Sequence, residues 1–479
     1  MENIRLVTEI GPIPGDDPAT PGPPATGAVG RIGRGLAANI GGMGVTAVIQ
    51  LVSVPIFLAA WGVPTYGEWL VLSAVPTYVA LSDLNFSGVA GNLMVMLLAQ
   101  GKHTEAVTLG RRVWSIVTVM TGVAILAAVG IALAFGGAFG SGAAIPSSEA
   151  RVVLVALFLQ VAVGNQYGVL DAWYRAGGRY PLGITMRQVG RLLEFGALTT
   201  AVLLGAGPGN AAIAFLVGSM AGFAISWVAL RRAVPWATFR PERPHVQTFR
   251  ELLAPGVAFM AFPIGNGLSL QGFTIVIGAT MGAAAVVVFS TTRTITRFAL
   301  QAMASINNAI WPELSRSVAS GRLDEARAIL RRSVQLALGT SLSLVLALMV
   351  FGVAIIRWWT RGLVDPPFPM LVILLLVIVA NSIWYTLSSV LSATNRHKRM
   401  AAFYLSGTIV AVVAAVPLSS AFGLSGAAAA LLAIDMAMVV YVLPTSLGVV
   451  HDTPGAFLRA LLNARGTLRS VLSIVRSVT

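Results

Sequence analysis

Twelve long apolar stretches, parted by short polar or charged segments, run along the chain at about 37–60, 67–98, 113–135, 151–173, 184–205, 209–230, 252–279, 283–311, 333–356, 368–392, 400–421 and 424–449. Each reaches the ~20 residues that a helix rising 1.5 Å per residue needs to cross a hydrocarbon core of ~30 Å. Several exceed that length and predict tilt, an internal bend or projection beyond the bilayer, with Pro76 marking the expected bend in the second. Composition agrees: 56% of residues are apolar, 10% are charged and the mean hydropathy is +0.82, whereas soluble domains carry about 25% charged residues.

The pattern repeats itself. Residues 101–112, GKHTEAVTLGRR, and residues 321–332, GRLDEARAILRR, share a glycine, a basic residue, Glu-Ala and paired arginines at an offset of 220. Gly209 and its alanine-rich sequel match Gly426 and its own at an offset of 217, as Ala176 and Arg179 match Ala393 and Arg396. Duplicated membrane halves usually make a transporter whose substrate passes between two lobes. The expected fold class is therefore all-α, a polytopic membrane protein of twelve transmembrane helices in two six-helix lobes around a central cavity. The expected domains are a disordered tail at 1–34, an N-lobe at 35–232, a linker at 233–250, a C-lobe at 251–450 and a basic amphipathic tail at 451–479.

The net charge of +14 matters through its placement. Basic residues precede the first stretch (Arg31, Arg34) and follow the second (Lys102, Arg111, Arg112), fourth (Arg175, Arg179), sixth, eighth, tenth (Arg396, Lys398, Arg399) and twelfth. The intervening loops are poor in positive charge, with Arg151, Arg357 and Arg361 as exceptions. Cytoplasmic loops carry the Lys/Arg excess, so both termini are expected inside a cytoplasmic (inner) membrane. Membrane topology accounts for the basic character without nucleic acid. The Pro- and Gly-rich residues 1–30 hold no apolar core and read as disordered. In 455–478, leucines on one side and Arg465, Arg469 and Arg476 elsewhere suggest a helix resting on an anionic leaflet.

Several chemistries have no residues to carry them. The chain has no cysteine, and its four histidines are scattered among basic loops, so no cofactor and no metal site is expected. The one Gly-Lys pair, Gly101-Lys102, is followed by His103 where a phosphate-binding loop needs Ser or Thr. Energy for transport then comes from an ion gradient (H+ or Na+), the membrane potential or the substrate gradient.

Polar stripes at helical spacing point away from lipid. Asn39, Met43, Thr46, Gln50 and Ser53 share a face of the first span; Gln160, Gly164, Tyr167, Asp171 and Tyr174 a face of the fourth; Asn381, Tyr385, Ser388 and Ser392 a face of the tenth. Interhelical hydrogen bonds explain any one alone; together they argue for a wetted interior. The eighth span carries Ser290, Arg293, Thr294, Arg297, Gln301, Ser305 and Asn308 on one face. Arg293 lies about 15 Å deep, and each arginine near the bilayer centre costs roughly 2.5–3.5 kcal/mol on insertion scales. No acid lies within a turn, so either an anionic substrate bound by the guanidinium fork or pairing with Asp83, Asp171 or Asp435 on other helices must hold them. Arg187, Arg191 and Glu194 at the start of the fifth span read as a gate or entry point, or as ordinary snorkelling with an intrahelical pair. The candidate substrate-binding set is Arg293, Arg297, Gln301, Asn39, Gln50, Tyr167 and Asn381. The candidate gating or coupling set is Asp83, Asp171, Arg187, Arg191, Glu194 and Asp435.

The stretch from Gly35 to Asn92, with Pro55, Tyr66-Gly67-x-Trp69 and Leu81-x-Asp83-Leu84-Asn85-Phe86, resembles the opening of polysaccharide flippases in the multidrug/oligosaccharidyl-lipid/polysaccharide exporter superfamily. Trp311-Pro312-Glu313-Leu314-Ser315-Arg316 resembles that family's motif after the eighth span. The resemblance implies two six-helix bundles flipping a lipid-linked oligosaccharide (an isoprenoid diphosphate) from the inner to the outer leaflet. Membrane lipids and polysaccharide polymerase machinery are the other implied partners. A drug or small-molecule antiporter of the same superfamily would want acids in its cavity. A membrane-embedded glycan polymerase or ligase would want a long outer loop, and the longest here is about 136–150.

Overall fold

The computed structural model describes residues 25–80, 83, 85–135, 144–242, 246–394 and 396–462, and these are helical throughout, with no strand. In chain order the helices are α1 (25–61), α2 (63–80), α3 (Phe86–Ala99), α4 (His103–Phe135), α5 (Ser147–Ala176), α6 (Tyr180–Leu203), α7 (Pro208–Ala233), α8 (246–281), α9 (Ala283–Ala319), α10 (Leu323–Trp359), α11 (Phe368–Ala393), α12 (397–422), α13 (424–449) and α14 (Pro454–Leu462). Eight described segments are long and apolar enough to cross a membrane. Two of these, 41–80 and 397–449, are helix pairs folded over Gly62 and Gly423. The remaining crossings are α6 and α9, whose internal arginines lower their apolarity, which completes the twelve.

Glycine turns punctuate both halves at matching places. Gly62 (φ 72°) and Gly282 (φ 84°) are 220 residues apart, as are Gly101 (φ 76°) and Gly321 (φ 71°). All four lie in the left-handed region, where a side chain adds strain that glycine avoids. Gly101 and Gly321 turn the chain in basic loops, and Gly62 and Gly282 turn it in loops without Lys or Arg, so the two pairs mark opposite ends of the bundle.

Most helix packing stays within 25–233 or within 246–462. The halves close on each other at the non-basic end. A Cβ at Gly67 would lie 2.1 Å from the Ala283 carbonyl oxygen, and one at Gly278 would lie 2.7 Å from Val71. Val287, Ile356, Trp359 and Val364 join an apolar core otherwise made by α1, α2 and α4 to α7. The Trp359 indole N–H donates to the Leu51 carbonyl at 2.7 Å, which ties α10 to α1.

Two expected boundaries are corrected, at residue 25 and at residue 246, and α2 stays helical through Pro76. α2 ends at Ala80, and α3 begins at Phe86 after Asn85, which is left-handed (φ 55°). Asn tolerates that conformation, and the Asp83 carboxylate, held by the Ser87 hydroxyl at 3.1 Å, competes with helical pairing there. The first helix begins at Ala25, inside the tail expected to be disordered. The linker is shorter than 233–250, because helix resumes at Val246. Residues 1–24 and 463–479 lie outside the described residues. The described part of the C-terminal segment, α14, docks on its own half: Phe457 is buried, Gln335 donates to the Ala460 carbonyl and Arg331 grips Asp452 at 2.6–2.8 Å.

Candidate functional site

In the C-terminal half, the polar interior is built around α9. The Arg293 guanidinium donates to the carbonyl of Ser269 at 2.5 Å and to its hydroxyl at 2.9 Å. Ser269 belongs to a π-helical turn, Leu268–Gly272, within α8. Such a turn frees backbone carbonyls from their usual partners, so α8 offers an acceptor where α9 brings a charge. The Phe273 and Phe289 ring centroids lie 5.7 and 5.9 Å from the Arg293 guanidinium carbon, a second favourable contact for a buried cation. No acid is needed to hold Arg293.

Arg297, one turn along, is half-buried and makes no hydrogen bond or ion pair with any described residue. Both arginines line a cavity of about 80 Å3 together with Asn266, Asn381, Tyr404 and Asp435. The buried Asp435 carboxylate accepts from the Asn381 amide at 2.9 Å and from the Trp384 indole at 2.7 Å. This cavity lies among α8, α9, α11, α12 and α13, and Ser269 and the two phenylalanines draw Arg293 toward its own half.

Nor do the acids pair with α9. Asp171 takes both the Nε (2.9 Å) and Nη2 (2.5 Å) hydrogens of Arg187, whose guanidinium carbon sits 5.4 Å from the Tyr167 ring centroid. Glu194 accepts from Ser219 on α7 at 2.7 Å, and Arg191 reaches the Thr46 hydroxyl on α1 at 2.8 Å. No ion pair forms within α6 among the described residues, since the hydrogen bonds of all three side chains go to other helices. Asp83 meets Ser87 as described above. The Tyr167 hydroxyl has no partner and fills the space beside Gly190 and Gly222.

Gln50 and Gln301 meet across the halves, amide to amide at 3.5 Å. Gln301 is one turn from Arg297, so the guanidinium lies next to the surface where the halves part. The side chains of Asn39, Ser305 and Asn308 lie outside the described residues. Sequence reasoning missed Ser269, Trp384 and Tyr404. The glycines flanking Ser269 (Gly265, Gly267, Gly272) are the available hint of irregular backbone, and nothing along the chain marks the two aromatic residues as partners of charge.

The geometry is that of a two-fold-repeated helical bundle with charges buried within each half. Among solved structures, the chain is similar to an inward-facing multidrug resistance transporter of the MATE family in the MOP superfamily. The TM-score is 0.66 and the identity 15%, over 86% of this chain and 99% of the other. It is similar to the lipid II flippase MurJ in an inward closed conformation, at TM-score 0.66 and 14% identity over 92% of this chain and 93% of that one. Against an outward-facing MATE-family transporter the TM-score is 0.52, at 16% identity over 90% and 96%. No family model matches the chain, and no curated protein matches it by sequence. The chain has the fold of the MOP superfamily.

Proposed function

We propose that the chain is a flippase moving an isoprenoid-diphosphate-linked oligosaccharide from the inner to the outer leaflet of a cytoplasmic membrane, its basic end facing the cytoplasm. Arg297 carries the reading: it is a half-buried guanidinium with no described acceptor, one turn from the Gln50–Gln301 contact between the halves. Arg187 is matched by Asp171 and Arg293 by Ser269, so Arg297 is the interior arginine whose planar fork is open to phosphate oxygens. Opening at the basic end would part Gln50 from Gln301 and admit a diphosphate toward Arg297. The packing at Gly67 and Gly278 closes the opposite end, and the higher likeness to the inward-facing than to the outward-facing transporter fits that state. Uncharged polar groups on α1 and α11 suit sugar hydroxyls, and the lipid tail stays in the bilayer.

Asp435 favours a second reading, a cation-coupled drug antiporter, because it places a buried acid in a small polar cavity. Proteoliposomes separate the two. With an isoprenoid-diphosphate oligosaccharide in the membrane, the flippase exposes the glycan to a lectin on the far side, and Arg297→Gln does not. Extrusion of a cationic dye on a proton or sodium gradient, with no glycan movement, would replace the first reading with the second.

A further inference from the structure

A groove of about 690 Å3 opens at the basic end of the C-terminal half, between the start of α12 and the end of α13. Its rim is Arg396, Lys398 and Arg399; Tyr441 and Thr445 lie deeper along α13. The three cations are exposed, and none has an ion pair among the described residues. Between Asp365 and Asp452 the sequence holds a single acid, Asp435, and that one is buried inside the half with Asn381 and Trp384. The rim charge is therefore not balanced by the protein.

The floor is as specific as the rim. Tyr441, eight residues before the end of α13, lies ~12 Å below the rim and stacks on Phe403 with centroids 4.6 Å apart. Two turns further along α12, on the face of Phe403, Val410 is 67% exposed and continues the apolar surface below the aromatic pair. Cations at headgroup level, an aromatic pair beneath them and an exposed aliphatic residue below that form the profile of one lipid molecule: phosphate, glycerol region, acyl chains. A free anion would use the rim and leave the floor without a role. The other half lacks the arrangement, because at the offset of 217 Arg179 answers Arg396 but Pro181 and Leu182 replace Lys398 and Arg399, and Ala224 replaces Tyr441.

We infer that this groove is a binding site for an anionic glycerophospholipid, held by its phosphate headgroup at Arg396, Lys398 and Arg399 and by its upper chains against Phe403 and Tyr441. The site is separate from the interior around Arg297 and stands whether or not the chain flips glycolipids. The full chain, purified in mild detergent, is titrated with phosphatidylglycerol or phosphatidylcholine and analysed by native mass spectrometry. One phosphatidylglycerol should persist at activation energies that strip phosphatidylcholine. Each charge removed should weaken retention roughly fivefold, and R396Q/K398Q/R399Q at least tenfold; R396K/R399K should retain the lipid. Thermal unfolding without added lipid should be the same for all variants, which separates lost binding from lost fold. Equal retention of the two lipids, or an undiminished adduct in the triple Gln variant, overturns the site. Displacement of the adduct by excess inorganic phosphate makes it a simple anion site. Displacement by farnesyl diphosphate below the phosphatidylglycerol concentration makes it a site for the carrier lipid. Either displacement overturns the assignment.

Discussion

The two halves share their backbone punctuation and differ in their interior charge. In the N-terminal half one pair of interior charges is matched across helices, Asp171 of α5 with Arg187 of α6, while Glu194 of α6 is held by the Ser219 hydroxyl of α7. At the offset of 217 the other half has Ser388 for Asp171, Tyr404 for Arg187 and Ala411 for Glu194. Its own charges, Arg293, Arg297 and Asp435, answer to Ser73, Thr77 and Gly218. They are held by neutral groups, Ser269 for Arg293 and Asn381 with Trp384 for Asp435, and Arg297 by no described residue. A scaffold repeated by duplication has thus been filled with two chemistries. The N-terminal half holds an interior ion pair across helices, and the C-terminal half holds its interior charges without one among the described residues.

The sharpest break of this contrast is at Arg297. Arg297→Gln is expected to lower transport roughly ten- to hundredfold, the worth of a hydrogen bond to a charged group, with an unchanged unfolding temperature. Lys should restore part of the activity, because a point charge keeps the attraction and loses the bidentate fork. A Gln variant that transports normally removes the functional half of the comparison.

Matched and unmatched charges should also separate in stability. Arg187→Gln strands Asp171 and should cost about 1–3 kcal/mol, less than a fully buried pair because both side chains are about one-third exposed (36% and 29%). Arg187→Gln with Asp171→Asn should recover much of that loss, a coupling that a double-mutant cycle of thermal unfolding reads directly. Asp435→Asn keeps an acceptor for Asn381 and Trp384 and should change stability by less than about 1 kcal/mol. Equal losses at Arg187 and Asp435 would mean that the halves are locked alike.

How far the sequence carried follows from the physics of each feature. Hydrocarbon imposes apolarity on every crossing, so the twelve spans are visible as runs, and duplication is visible because a left-handed turn keeps its glycine, as at Gly101 and Gly321. Interior partners are not visible in the same way. Arg293 is held by a backbone carbonyl freed in a π turn and by two phenylalanines, and no residue type announces a π turn. Asp171 faces Arg187 rather than Arg293 because α5 and α6 are neighbours within one half, a fact of helix packing that spacing along the chain does not contain. Pro76 does not end its helix, because a proline leaves its helix intact where neighbouring helices hold the freed carbonyl.

A repeat-related glycine pair sharpens the comparison of scaffolds. Gly190 and Gly407 are 217 residues apart. A Cβ at Gly190 would stand 2.3 Å from the Tyr167 hydroxyl, and one at Gly222 would stand 2.6 Å from the Gly190 Cα, so α6 and α7 pack closely there. A Cβ at Gly407 would stand 2.2 Å from the terminal Cδ1 of Ile434, which a rotamer change can move. Gly190→Ala is therefore expected to destabilise by about 1–2 kcal/mol and Gly407→Ala by less than about 1 kcal/mol, compared as unfolding temperatures in one detergent. The reverse order would show α12 packed more rigidly on α13 than α6 on α7.

The smallest expected effect lies at the non-basic end, where the halves fasten their loops differently. In the N-terminal half, Glu68 accepts the backbone N–H groups of Ala144 (2.5 Å) and Ile145 (2.7 Å). In the C-terminal half, Asp365 pairs with Arg357 through two hydrogen bonds of 2.8 and 3.0 Å. Those hydrogen bonds hold the Asp365 carboxyl below its ordinary value of 3.8. A depressed folded-state pKa means that the pair contributes at any pH above 3.8, and that the contribution fades as pH falls through the lowered value. Both side chains are open to solvent, so the effect is slight and salt-sensitive. Below pH 4, amide exchange over 360–367 should rise in the wild type, and Asp365→Asn should show the raised rate already at pH 7. Exchange in that loop that is flat from pH 7 to pH 3 would show that backbone turns alone hold it, and the two outer fastenings would then differ in strength as well as in kind.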